Sequence, residues 1–224
     1  MSLEACTLEE TSVRVNTDLR LTLIAAAGHF YQLGWMVGTA GNLSARMPDG
    51  SFWITASGRN KGQLSIDDFV RIAPDGTVLE QPSPDAHPSA ETSIHQVIYS
   101  LFSDAQACYH VHSIEANLVS HFSDGDTLLL PPLEMLKGLG VWEENPKVAM
   151  PVFANHLEVP RIASDIGERF KATPPPMSVL LIRNHGVTVW ASSPEVARNY
   201  LEVAEFIFRY MVAARNVGIE ESFE

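Results

Sequence analysis

The stretch Ala107-Cys108-Tyr109-His110-Val111-His112 constrains the fold more than any other. It is apolar enough to demand burial and short enough to be a single strand, yet it carries two imidazoles. Residues i and i+2 of a strand project from one face, so His110 and His112 aim at the same point. Two neutral imidazoles converging in this way suit a divalent transition metal. Zinc accepts nitrogen ligands and, at catalytic centres, keeps one position open beside three protein ligands. The third ligand must come from elsewhere. His185 is the best candidate, because Leu180-Leu181-Ile182 reads as another apolar strand and Gly186 frees the backbone to turn. A His-x-His pair alone is a weak signal in a chain with 8 histidines, and its weight comes from its surroundings.

Those surroundings read as alternating helices and strands. Residues 17–33 form an amphipathic helix capped by Asn16 or Thr17, with Leu19, Leu23, Ala26, Ala27 and Phe30 facing the core and Gly34 stopping it. His29 on this helix is a packing or surface histidine. Strands at 43–47 and 51–57 join around Pro48-Asp49-Gly50, and a third at 69–73 turns at Pro74-Asp75-Gly76 into 77–79. After a proline-rich loop, Ser89 caps a helix over 90–101 with Glu91 in its first turn, where the helix dipole favours a negative charge. That helix leads into the histidine strand. Residues 113–120 look helical, 148–153 extended and 160–170 helical. Ser193-Pro194 opens a long helix to about 217, with Val196, Tyr200, Val203, Ala204, Ile207, Tyr210, Met211 and Ala214 as its apolar stripe. No repeat or linker interrupts the pattern. The expectation is one α/β domain over residues 1–224, a three-layer α/β/α arrangement with a mostly antiparallel central sheet and a loose tail at 1–15.

Composition excludes more than it assigns. A net charge of −12 with no basic run argues against a nucleic-acid surface. No stretch is long and apolar enough for a membrane span, and the acidic N-terminus lacks the regions of a signal peptide. Cys6 and Cys108 are the only cysteines, placed so that a structural disulfide is not expected, which fits a reducing, cytoplasmic setting.

Three groups stand out as possible company for the metal. The turns Thr39-Ala40-Gly41-Asn42 and Ala56-Ser57-Gly58-Arg59 allow close backbone approach and amide nests for an anion. With Ser89 at a helix start and Lys61 or Arg59 as cation, they make a phosphate cradle. Turn-forming glycines without a ligand are the commoner case. Glu91 is the second candidate, and its simplest reading is a charge–dipole pair. Glu134 is the third: it follows Pro131-Pro132 in an apolar stretch, where a carboxylate can acquire a raised pKa suited to proton transfer. A solvated loop glutamate is its plain alternative.

The combination of Thr39-Ala40-Gly41-Asn42-Leu43-Ser44, Ser57-Gly58, Pro88-Ser89-Ala90-Glu91-Thr92, His110-Val111-His112 and Arg183-Asn184-His185-Gly186 resembles the class II aldolase/adducin-head family over about residues 15–215. Residues 133–145 and 183–190 resemble, within it, a branch of dehydratases that act on a methylthio-pentulose phosphate in methionine salvage. The resemblance implies that His110, His112 and His185 hold one zinc ion per subunit. It implies that Gly41, Asn42, Ser57, Gly58 and Ser89, with Lys61, bind the phosphate of a small sugar-phosphate substrate. Glu91 matches the catalytic glutamate of the aldolases and Glu134 the acid/base glutamate of the dehydratases. Animal relatives carry cysteine in place of Glu91, which puts Glu134 first. The resemblance also implies a homo-oligomer, a tetramer with sites near subunit boundaries. An aldolase or epimerase using the same metal is the alternative, and a non-catalytic scaffold the remote one; the latter would not need three intact histidines.

Overall fold

A computed structural model describes residues 18–219. The 1–15 tail, Cys6 and the caps expected at Asn16 and Thr17 lie outside the described residues. A nine-stranded sheet runs through the molecule. Its strands are β1 (Asn42–Arg46), β2 (Phe52–Thr55), β3 (Phe69–Ile72), β4 (Val78–Glu80), β5 (Ala107–Val111), β6 (Thr127–Leu129), β7 (Ala149–Phe153), β8 (Val179–Ile182) and β9 (Gly186–Ala191). Their spatial order is β4-β3-β2-β1-β5-β9-β8-β7-β6, and every pair is antiparallel except β7 with β8.

The helices α1 (Leu19–Gln32), α2 (Thr92–Leu101), α3 (Ile114–Val119), α4 (Val159–Ala172) and α5 (Pro194–Asn216) cover both faces. One apolar cluster joins α1, α3 and α5 to Leu43, Tyr109, Val111, Val187 and Val189; the other joins α2 and α4 to Ile54, Cys108, Ile182 and Trp190. Alternation along β5 decides this split: Tyr109 and Val111 face one layer, Cys108 and His110 the other. The strand is buried on both faces, as its near-continuous apolar character requires. The chain thus forms the α/β fold with a mostly antiparallel sheet expected from its sequence.

Local expectations hold with three corrections. Asp18 caps α1, its carboxylate accepting the Arg20 amide. The helix after the proline-rich loop starts at Thr92 with Glu91 as its N-cap residue, so Glu91 stands just outside the first turn. On α5 the buried line runs through Ala197, Leu201, Ala204, Phe208 and Met211, leaving Val196, Tyr200 and Val203 at its margin. The helix is clamped between the sheet, α3 and the segment at Glu134–Leu139, which rotates its buried face toward Phe208. β6 and the 3-10 turns at Lys61–Gln63, Ile66–Asp68 and Glu134–Leu139 are additions to the sequence reading.

Candidate active site

The site begins as a row across three strands. Asn42 of β1 lies opposite His110 of β5, which lies opposite Thr188 of β9. Residues opposite each other in a ladder share a face, so the imidazole stands between an amide and a hydroxyl. His110 Nδ1 is 2.8 Å from the Thr188 hydroxyl. Donating its hydrogen there leaves the Nε2 lone pair free, the usual way a partner fixes the tautomer of a ligating histidine. His112 follows two residues on, where the strand ends.

His185 comes from the tight turn between β8 and β9. Asn184 takes a left-handed conformation (φ 54°), which asparagine tolerates, and the His185 carbonyl accepts the Asn117 side-chain amide at 3.0 Å. A Cβ at Gly186 would stand 2.1 Å from the Val111 carbonyl oxygen, so only glycine lets the turn close against β5. The three rings meet edge to face with centroids 4.5–5.0 Å apart.

Glu91 completes the group. One carboxylate oxygen, Oε1, faces all three imidazoles, at 2.6 Å from His185 Nε2, 3.4 Å from His110 Nε2 and 3.7 Å from His112 Nε2. The other, Oε2, accepts a short hydrogen bond from Asn42 Nδ2. Burial by itself would push this carboxyl up, but His110, His112 and His185 hold it well below the usual carboxylate range. Burial drives the His110 pKa well down, against the pull of Glu91.

One ligand atom from each of the four residues lies within 4.8 Å of the others. The Nε2 atoms of His110 and His112 are buried without a hydrogen-bond partner. A buried polar atom left unpaired is costly, and two such lone pairs aimed at one point fit a metal ion. Three imidazoles and a carboxylate are donors that zinc and other divalent transition metals accept.

The residues expected from the sequence to cradle a phosphate lie on turns beside this cluster. The Ala56–Pro88 bridge sets the Ser57-Gly58 turn against the chain leading to Ser89, with the Ser57 amide donating to the His87 carbonyl. Gly41 (φ 74°) and Gly58 (φ 71°) are left-handed. A Cβ on Gly41 would press on the His110 carbonyl oxygen at 2.8 Å. Lys61 is buried and donates to the carbonyls of Thr39 and Arg59 at 3.0 Å each, tying the two turns together. Burial lowers its pKa to about 8, opposed by Glu91 and Asp68. Arg59 pairs with Asp68 at 3.3 Å. Asn42 is consumed at both ends of its amide, by Glu91 and His95.

Glu134 differs. Its side chain is 82% exposed and pairs with Lys137 at 2.7 Å. The apolar surroundings expected for it are absent; instead it lines a cavity of about 270 Å³ with Pro132, Lys137, Trp142 and Asn145, to which none of the four cluster residues contributes. Thr188, Ser44, His95 and Tyr99 enter the site with no role expected for their side chains from the sequence. A signal for the last two existed: Glu91, His95 and Tyr99 recur every four residues among Ile94 and Ile98, polar groups on an apolar helix face.

Residues 22–212 match the family described as class II aldolase and adducin N-terminal domain. A Microcystis aeruginosa protein named methylthioribulose-1-phosphate dehydratase is 65% identical over 201 residues, 90% of this chain and 98% of that one. A Leptospira biflexa protein of the same name is 45% identical, over 81% of this chain and 90% of its own length. Among solved structures, YgbL from Escherichia coli superposes with a TM-score of 0.75 at 26% identity, covering 88% of this chain and 89% of that one. The chain belongs to the class II aldolase and adducin N-terminal domain family.

Proposed function

We propose that this protein is a hydro-lyase that removes water from 5-methylthioribulose 1-phosphate to give 2,3-diketo-5-methylthiopentyl 1-phosphate, a step of methionine salvage. The observation that carries the reading is the 65% identity to the dehydratase from Microcystis aeruginosa across nearly all of that protein. The convergent His110, His112, His185 and Glu91 support it.

His110, His112 and His185 would hold the metal, one zinc ion per chain, with Glu91 beside it. When bound, such an ion supplies a Lewis acid that makes the C3 hydrogen of the ketose more acidic. Glu134 takes that hydrogen as general base, leaving an enediolate. The electron pair of the enediolate expels the C4 hydroxyl. That hydroxyl leaves as water with the proton Glu134 has gained, and the resulting enol tautomerises to the 2,3-diketone. The Gly41-Asn42 and Ser57-Gly58 turns and Ser89 hold the phosphate through backbone amides and hydroxyls, with the Lys61 charge beneath them. Holding the phosphate remotely positions C3 and C4.

The exposure of Glu134 and Trp142 supports a homo-oligomer, a tetramer in which a second copy closes the segment at 131–146 over a site. The whole chain acts as one domain, in the cytoplasm. No described helix is long and apolar enough to cross a membrane.

Proton NMR of zinc-loaded protein with 5-methylthioribulose 1-phosphate tests the reaction. Loss of the C4 carbinol signal and a new methylene beside a ketone is the expected result. Cleavage into two smaller carbonyl compounds would make the protein an aldolase instead. An unchanged substrate with metal in place would overturn the dehydratase reading.

A further inference from the structure

Behind Glu91 runs a line of buried polar side chains that the dehydration does not use. Glu91, His95 and Tyr99 succeed one another at intervals of four along α2 and its N-cap, and Asn42 and Ser44 alternate along the facing strand β1. From the carboxylate outward the contacts are Glu91 Oε2 with Asn42 Nδ2, Asn42 Oδ1 with His95 Nε2 at 2.5 Å, His95 Nδ1 with Ser44 Oγ at 2.7 Å, and Ser44 Oγ with Tyr99 Oη at 2.7 Å. All five residues are buried.

The hydrogens along this line can be placed by elimination. The amide nitrogen of Asn42 donates to Glu91 Oε2, so its oxygen faces His95 Nε2. That oxygen only accepts, so His95 Nε2 carries a hydrogen. Burial pulls the His95 pKa to about 4 against the attraction of Glu91, so the ring is neutral and Nδ1 is an acceptor. Ser44 therefore gives its hydrogen to Nδ1 and receives the one from Tyr99, whose phenol burial keeps protonated. The alternative target for the Ser44 hydrogen, the Cys108 carbonyl, lies farther off at 3.3 Å. Every donor in the line points toward Glu91.

We propose that His95 is a positioning residue for Glu91: with Ser44 and Tyr99 behind it, it fixes the Asn42 amide so that Oε2 of the carboxylate is held and Oε1 is kept aimed at the three histidines. Without the His95 donor, the amide of Asn42 is free to turn over and present its oxygen to Glu91. Two acceptors would then face each other in a buried place, and the carboxylate would have to move away.

The kinetic part of the test rests on the proposed dehydration; the spectroscopic part does not. In protein labelled with ¹⁵N-histidine and loaded with zinc, long-range ¹H–¹⁵N correlation should find His95 as the neutral Nε2–H tautomer. An Nδ1–H tautomer or a charged ring at neutral pH would overturn the proposal, whatever the substrate proves to be. His95→Phe should lower kcat about 10- to 100-fold, the range for partners that orient a metal site, with KM little changed. His95→Gln, which keeps an N–H donor, should recover most of the loss. If His95→Phe does not fold, Tyr99→Phe and Ser44→Ala each remove one oxygen and should lower kcat severalfold. Wild-type kcat in both, or an effect confined to KM, would overturn it.

Discussion

The histidine cradle and the segment at 131–146 are built on opposite plans. In the cradle, β1, β5, β9 and the start of α2 bury an amide, a carboxylate and the His110 imidazole and set the half-buried His112 and His185 rings against them, with both oxygens of Glu91 engaged. In the segment, Glu134 and Lys137 pair in solvent, and the Trp142 side chain stands beside them, the residue 74% exposed. Taking charge out of water strengthens every interaction it makes and fixes its direction, whereas an exposed pair is screened and contributes little. One chain therefore folds the electrostatic half of the site in advance. The segment to which proton transfer is assigned by proposal stands open to solvent in the single chain.

Removing a cradle histidine should have the largest effect. His112→Ala is expected to lose metal and reduce kcat by at least ~10³-fold while circular dichroism stays native, because the loss is of transition-state charge stabilisation and not of core. A variant that keeps full turnover with no bound metal would break the comparison at its root.

Glu134→Gln sharpens it from the other side. A general base should show a kcat about 10²- to 10⁴-fold lower with KM held. If only KM rises, Glu134 binds substrate and Glu91 becomes the proton-transfer group. Lys61→Met should act between the two regions: it removes the charge that ties the Thr39 and Arg59 turns, and KM should rise roughly tenfold, the scale of one charge-assisted hydrogen bond. An unchanged KM would remove Lys61 from the phosphate site.

The smallest effect concerns stability. Glu205 of α5 is buried beside the Ser113 hydroxyl, neither of its oxygens has a well-formed hydrogen bond, and burial raises its pKa to about 8. Glu115 adds to the rise and Arg209 opposes it. Between the ordinary carboxylate pKa and about 8 the folded chain holds a proton that the unfolded chain has released, so stability falls as pH rises through that window. Glu205→Gln should therefore stabilise the protein above pH 8, by on the order of 1–3 kcal/mol, and make little difference below pH 4. Equal melting shifts at both pH values would contradict the assignment.

What the sequence made legible follows from range. The Pro48-Asp49-Gly50 hairpin, strands β5 and β8 and the Ser193-Pro194 helix start carry local signals, and the structure has them. The three histidines were legible because strand alternation and a glycine turn are also local, and the cluster joins them to Glu91. The surroundings of Glu134 were not legible, since an apolar sequence neighbourhood does not bury a residue; packing does. Nor was the side-chain contact of Asn42, which lies opposite His110 and donates to Glu91 as well as standing in the expected phosphate turn. Ladder register, which sets Asn42, His110 and Thr188 in one row, joins strands far apart in the chain and leaves no mark in any of them.

The central claim is that dehydration occurs at one metal ion held by His110, His112 and His185. Titrating metal-free protein with zinc, while following diketone formation and bound metal together, tests it most directly. Activity should rise in proportion to bound metal and stop rising at one ion per chain. Full activity before any metal is added, or a rise that ignores the first bound ion, would contradict the account.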